Sequence, residues 1–307
     1  MWQTTDAVLM VRPAAFGSNP ETLDSNAFQH PPDAPRAEIA KQALVEFDGV
    51  VEVLRAAGVR VCIVDDESEP RRPDAVFPNN WLSTHESGTV VLYPMEAPSR
   101  RNEVRHEVVE ALRTQFHYRV ERVLDMTPWS SKGMHLEGTG SMVLDRVSRT
   151  AFACLSARTS VELLSEFCHE LDYAPFAFQA SDADGVPIYH TNVMMWVGTQ
   201  AAAVCLDAVE NAAEREKLAT RLAHGGRTVL ELSRDQMAAF AGNALELRST
   251  DTHPVIAMSS RAAAALTDAQ RHVLEAYARL AVSDIGTIET YSGGSVRCML
   301  AEIFLPR

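Results

Sequence analysis

The chain has 307 residues, with 28 Lys and Arg against 41 Asp and Glu, a formal charge of −13. At 46% hydrophobic and 22% charged residues it can fill a core, which excludes disorder as its main state. Acidity spread along the whole sequence excludes a nucleic-acid binder, whose phosphate contacts need clustered Lys and Arg, and no run approaches the roughly 18 consecutive apolar residues of a membrane span.

The first residues, Met1-Trp2-Gln3-Thr4-Thr5-Asp6, show no basic stretch leading into an apolar run, so the expected location is the cytoplasm. Cys62, Cys154, Cys168, Cys205 and Cys298 form no CxxC pair, and five cysteines suit a reducing compartment better than a disulfide framework.

Short apolar strands alternate with amphipathic helices. Ala7-Val8-Leu9-Met10-Val11 reads as a strand, and residues 12–35, rich in Gly and Pro, as a long surface loop able to act as a lid. A helix over 36–57 carries Ile39, Ala43, Phe47, Val50, Leu54 and Ala57 on one face, Gly58 stops it, and 59–64 is again a strand. Strands follow at Ala75-Val76-Phe77 and 89–92, then a helix after Ser99 with Val104, Val108, Ala111, Leu112 and Phe116 on one side.

Strands 141–145 and 151–155 pair across a polar turn, and Thr159-x-x-Glu162 reads as a capping box opening a helix. Strands at 174–178, 193–197 and 201–205 lead to a helix near 211–223. Ser233-x-x-Gln236 and Thr267-x-x-Gln270 are two further boxes, and 297–305 reads as a final strand. The recurring unit is strand, strand, helix, strand, about five times over, with no linker to divide it. The expectation is one α/β domain over residues 1–307.

Several chemistries lack their motif. There is no GxxxxGK(S/T) loop, and Gly138-Thr139-Gly140 lacks the third glycine of a dinucleotide fingerprint. Arg297 breaks a GxSxG pattern around Ser295, and His106-Glu107-Val108-Val109-Glu110 lacks the second histidine of a zinc protease. Neither a cofactor nor a metal is expected.

Four polar segments stand out. Asp74-Ala75-Val76-Phe77-Pro78-Asn79-Asn80-Trp81 sets two amides and an aromatic at a strand end, either as an Asx turn or as a pocket wall recognising a polar planar group. His135-Leu136-Glu137-Gly138-Thr139-Gly140-Ser141 places a carboxylate just before a Gly-rich turn. In Tyr189-His190-Thr191-Asn192-Val193, His190 leads directly into an apolar strand. In Tyr291-Ser292-Gly293-Gly294-Ser295-Val296-Arg297-Cys298, glycines that permit close backbone approach precede a thiol at a strand entry. The other four cysteines lie among apolar residues, as small core hydrophobes do.

Taken in order, with Arg12-Pro13, Phe16-Gly17-Ser18-Asn19-Pro20-Glu21-Thr22 and Asn243-Ala244-Leu245, these segments resemble the amidinotransferase or pentein superfamily of guanidine-modifying enzymes. The resemblance is closest to arginine-deiminase-related hydrolases that act on citrulline. It implies a five-bladed (ββαβ)5 α/β propeller around a polar central site, with Cys298 as nucleophile and His190 as general acid/base. Glu137 would orient His190 or hold a substrate nitrogen. Arginine deiminases have aspartate where this chain has Asn80, and His-x-Asp where it has His190-Thr191-Asn192. Amides donate and accept, so Asn79, Asn80 and Asn192 suit a neutral ureido group better than a guanidinium. Arg12, Arg297 and Asn243 are candidates for the substrate's amino-acid end.

The implied function is hydrolysis of a C–N bond in a ureido or guanidino amino acid, citrulline above arginine, with no nucleic-acid or membrane partner. The oligomeric state is open between a monomer and a homo-oligomer. The alternatives are arginine deimination or dihydrolysis, amidino transfer, and a non-catalytic binding protein on the same fold.

Overall fold

Runs of two to six strand-forming residues, each ended by a turn, are too short for one broad sheet, and the chain spends them in five separate three-stranded sheets. A computed structural model describes residues 2–23 and 26–307. The first blade holds β1 (Ala7–Arg12), α1 (Arg36–Ala56) and β2 (Arg60–Asp65); the second β3 (Leu82–Thr84), β4 (Thr89–Leu92), α2 (His106–Thr114) and β5 (Arg122–Asp125). The third opens with the one-turn helix α3 (Gly138–Ser141) and continues through β6 (Met142–Asp145), β7 (Thr150–Cys154), α4 (Val161–Leu171) and β8 (Ala174–Phe178). The fourth opens with α5 (Thr191–Met194) and adds β9 (Met195–Val197), β10 (Ala201–Val204), α6 (Ala212–Leu222) and β11 (Thr228–Glu231). After α7 (Arg234–Ala238), the fifth contains β12 (Leu245–Arg248), β13 (Pro254–Ser259), α8 (Ser260–Ala265), α9 (Asp268–Glu275) and β14 (Arg279–Ser283). The helix α10 (Gly286–Ser292) leads to β15 (Ala301–Glu302).

In blades two to five the middle strand runs antiparallel to the one before it and parallel to the one returning after the helix. The first blade obeys the same rule across the whole chain: β1 is parallel to β2 and antiparallel to β15, with Val8 opposite Glu302 and Leu9 opposite Ala301. This is the five-bladed (ββαβ)5 α/β propeller that the family resemblance implies, and it agrees with the repeated unit.

Blade helices cover the sheets. Along α1, Ile39, Ala43, Phe47, Val50 and Leu54 recur at helical spacing and pack on Val8 and Met10 of β1 and on Ile288 of α10. Gly58, at φ +82°, turns the chain out of that helix where a side chain would be strained and would crowd Ser249.

Where sequence periodicity misplaces an element, a side chain has captured the backbone. Ser141 and Val193, read as strand, lie in the one-turn helices α3 and α5. The Ser141 hydroxyl takes the Glu137 N–H and donates to the Arg158 carbonyl, and the Thr191 hydroxyl takes the Cys154 N–H and donates to the Ser141 carbonyl. Ala75-Val76-Phe77 is a turn rather than a strand, and Pro98 opens a 3-10 stretch that delays α2 to His106. The last strand shrinks to Ala301–Glu302, behind a 3-10 turn over Val296–Met299. The Thr159-x-x-Glu162 box does not form: Thr159 bridges Leu136 and Ser156, and Ser160, the residue before α4, spends its hydroxyl on the His135 N–H. The other two boxes form in full.

Residues 12–35 were expected on the surface. Phe16, Asn19, Thr22, Asn26 and Gln29 are instead buried, and Asn26 donates to the Ser292 carbonyl at 3.0 Å. Asp24 and Ser25 of this segment lie outside the described residues. No helix among the described residues is long and apolar enough to cross a membrane.

The two kinds of cap separate in urea denaturation. Thr267→Ala, which removes a formed cap, is expected to cost about 1 kcal/mol, while Glu162→Ala, in the box that does not form, should stay within about 0.5 kcal/mol of the parent. Equal losses would contradict the capping geometry.

Candidate active site

Each blade presents a tight turn just before its first strand, and these turns meet. Asn79 and Asn80 lie in the 3-10 turn Pro78–Asn80 before β3, and Glu137 immediately precedes α3 and β6. His190 immediately precedes α5 and β9, with Asn192 inside that turn. Asn243 stands two residues before β12, and Cys298 lies in the 3-10 turn before β15. All are buried.

The Cys298 thiol is flanked by two amide donors, Asn243 Nδ2 at 3.3 Å and Asn192 Nδ2 at 3.4 Å. Asn243 is fixed from both sides, donating to the Asn192 carbonyl and accepting the Arg297 N–H. Asn192 Oδ1 is buried with no hydrogen-bond partner among the described residues, an acceptor left open beside the thiol.

His190 Nε2 donates to Glu137 Oε2 at 2.8 Å, and the Glu96 N–H occupies Glu137 Oε1 at 2.9 Å. Burial pushes the Glu137 carboxyl up, but Arg158 at 3.7 Å, the His190 bond and Arg100 at 3.8 Å outweigh it and hold the group well below the carboxylate range. Burial also dominates at His190, lowering its imidazole to about 4 although Glu137 pulls the other way. At neutral pH the pair is therefore an uncharged imidazole on a charged carboxylate.

Arg100 grips Glu103 through two parallel bonds of 2.9 and 2.8 Å, donates to Asn80 Oδ1 at 3.1 Å and lies 3.7 Å from Asp74. Asn80 Nδ2 donates to Asn79 Oδ1, and Asn79 Nδ2 to the Thr139 hydroxyl. Gly140 makes this crossing possible: a Cβ there would sit 2.5 Å from Asn80 Nδ2 and 2.8 Å from His190 Nδ1.

Asn80, Arg158, His190 and Cys298 share one cavity with Phe77 and Tyr189, and Thr22 and Asn26 of the 12–35 segment also line it. Its volume, about 20 Å³, holds about one water. Among the described residues no group of three or more His, Cys, Asp or Glu is placed to hold a metal ion.

Three residues expected at the substrate's amino-acid end are employed elsewhere. Arg12 ends β1 with its guanidinium in a partly exposed two-bond pair with Asp48. The Arg297 guanidinium turns away from the thiol to Glu302 at 2.9 Å and the Leu300 carbonyl. Asn243 touches the thiol itself. Asn79 does not line the cavity; it braces Asn80, which does.

Sequence reasoning missed Asp74, Arg100, Glu103, Arg158 and Tyr189. Asp74 heads the Asn79-Asn80 segment, so it was within reach of the motif. Arg100 carries only the i,i+3 spacing to Glu103 as a signal, and nothing near Arg158 announces a partner 21 residues away at Glu137.

No curated protein matches the chain by sequence. Among solved structures it is similar to the N-terminal domain of ArgZ, an arginine dihydrolase from the ornithine-ammonia cycle in cyanobacteria, in a substrate-bound cysteine-to-serine variant. The TM-score is 0.73 at 17% identity over 97% of this chain and 99% of that one. It is also similar to AgrE in complex with ornithine and NAD+, with a TM-score of 0.75 and 17% identity over 98% of this chain and 39% of that one. A dimethylarginine dimethylaminohydrolase adduct with S-methyl-L-thiocitrulline gives 0.66 at 14% identity, covering 97% and 99%. The chain spans about 40% of the longer ArgZ chain. At these identities the structures establish the pentein fold. The family model described as N,N dimethylarginine dimethylhydrolase, eukaryotic, matches residues 12–305, and the chain belongs to that family within the pentein superfamily.

Proposed function

We propose that the protein is a cysteine-dependent hydrolase cleaving a C–N bond of a ureido or guanidino amino acid, with citrulline as substrate and ornithine, ammonia and carbon dioxide as products. The observation that carries this reading is a buried thiol, Cys298, sharing one cavity with an imidazole, His190, held on a charged carboxylate.

The geometry supports the following roles. Neutral His190 is a base, and the Glu137 charge stabilises the imidazolium formed when it accepts the Cys298 proton. The thiolate, solvated by the Asn192 and Asn243 amides in place of water, attacks the planar ureido carbon. The imidazolium returns the proton to the departing nitrogen, and His190 then activates the water that releases the acyl group from sulfur. Both Glu137 oxygens are engaged by protein donors, which favours orientation of His190 over capture of a substrate nitrogen.

Hydrogen-bond supply supports a ureido substrate. Glu137 is compensated by Arg158 and Arg100, and Asn80 stands where a carboxylate would pair a guanidinium. A ureido oxygen needs donors, which Asn80 and Arg158 provide; a guanidinium has donors only. A second reading, arginine dihydrolysis, is favoured by the Asp74 carboxylate in the cavity wall and by likeness to ArgZ.

Incubation with citrulline or with arginine, followed by assay of ornithine, citrulline and ammonia, separates the two. Ornithine from citrulline and none from arginine is expected, with no turnover by Cys298→Ala; ornithine with two ammonia from arginine would favour dihydrolysis, and citrulline accumulating from arginine, with no ornithine from either, would replace ureido hydrolysis by deimination. Because burial keeps His190 neutral down to about 4, the acid limb of kcat/KM should lie well below the ordinary histidine value near 6.5. A limb at 6.5 would remove His190 as the base. Gly140→Ala drives a methyl group between Asn80 and His190 and is expected to lower kcat/KM on the order of 100-fold, with near-parental activity as the contrary result.

A further inference from the structure

A cavity of about 350 Å³ lies between the second and third blades, lined by His85 and Arg122 on one side and by Arg146, Arg149, Glu170 and Tyr173 on the other. That is the size range of small-molecule sites.

Its cations are unequally satisfied. Arg122 is paired with Glu170. Arg149 stacks on Tyr173 and donates to the carbonyls of Leu171 and Asp172. Arg146 differs: its side chain is only 5% exposed and its guanidinium carbon lies 3.7 Å from the centre of the Phe304 ring. Its guanidinium makes no hydrogen bond among the described residues, and its sole carboxylate neighbour, Glu302 at 3.8 Å, is already bonded to Arg297 at 2.9 Å. Two buried guanidinium groups therefore share one carboxylate, and the one facing the cavity keeps its fork of donors unused. Burial of a charge without bonded partners is costly unless a ligand supplies them. The same field reaches His85, whose imidazole is held well below its usual range by burial and then by Arg146 and Arg149.

We propose that this cavity is a binding site for a small carboxylate anion, received by the planar fork of Arg146 with Arg149 beside it, and that it communicates with the catalytic turn. The route is short. A ligand carboxylate on Arg146 releases Glu302 to Arg297, whose backbone N–H is bonded to Asn243 Oδ1, and Asn243 Nδ2 touches the Cys298 thiol. The ligand completes a pairing that the protein leaves half made, which fits a carboxylate better than a neutral or cationic guest.

Titration calorimetry of the full chain with succinate as probe and putrescine as the cationic control tests the site, using protein alkylated at Cys298 so that the catalytic cavity is blocked. Saturable succinate binding is expected, weakened at least tenfold in Arg146→Met and several-fold in Arg149→Gln. The second variant alters a side chain that is 30% exposed and tests the site even if the first does not fold. Binding of putrescine instead, absence of saturable binding, or unchanged affinity in a folded variant would overturn the assignment. On unmodified protein, saturating succinate should change the rate of Cys298 alkylation at least twofold, and an unchanged rate would overturn the link to the catalytic turn.

Discussion

A carboxylate with no solvent exposure sits at the centre of this molecule, and much of the architecture serves to keep it charged. Glu137 would cost several kcal/mol as an unpaired buried ion. Its partners come from different blades: the Glu96 N–H and Arg100 from the second, Arg158 from the third, His190 from the fourth. Each is held in turn, Arg100 by Glu103 and Asn80, and His190 by a glycine that clears its flank. Electrostatic compensation of one group thus sets the relative placement of three blades and fixes the protonation state of the imidazole beside the thiol.

The repeated fold explains how so many groups reach one point. Every blade begins with a turn aimed at the common centre, and each turn carries one or two polar side chains: Asn80, Glu137, His190, Asn243 and Cys298. None needs a long reach, because the first residue of each inner strand already lies at the middle. Hydroxyls such as those of Ser141 and Thr191 stitch the turns to one another and satisfy backbone groups that no sheet ladder serves. The acidity of the chain, −13 overall, has no counterpart here, where arginines and carboxylates alternate in contact.

That division also marks what the sequence makes legible. The alternation of strands and helices, the Cys298 turn, His190 and Glu137 are visible because glycine and polar residues interrupt otherwise apolar runs. Arg100 and Arg158 are not visible, because an arginine's partner is chosen in space; Arg12 and Arg297 mislead for the same reason, with Asp48 and Glu302 as their true partners. Strand ends are overextended wherever a side chain bonds the backbone in place of a ladder, as at Ser141 and Val193. Amphipathic period reports burial of a face, and it carries no information on which polar atom competes for a peptide group.

The pairing of β15 with β1 brings together strands nearly 300 residues apart. Closing so long a loop costs entropy that only the finished sheet returns. Cys298 lies three residues before β15, so the thiol acquires its amide neighbours and its imidazole only when the last blade is sealed. A partly folded chain carries the Cys298 thiol without the surroundings that the closed propeller gives it, and the environment of that thiol is thereby a reporter of complete folding.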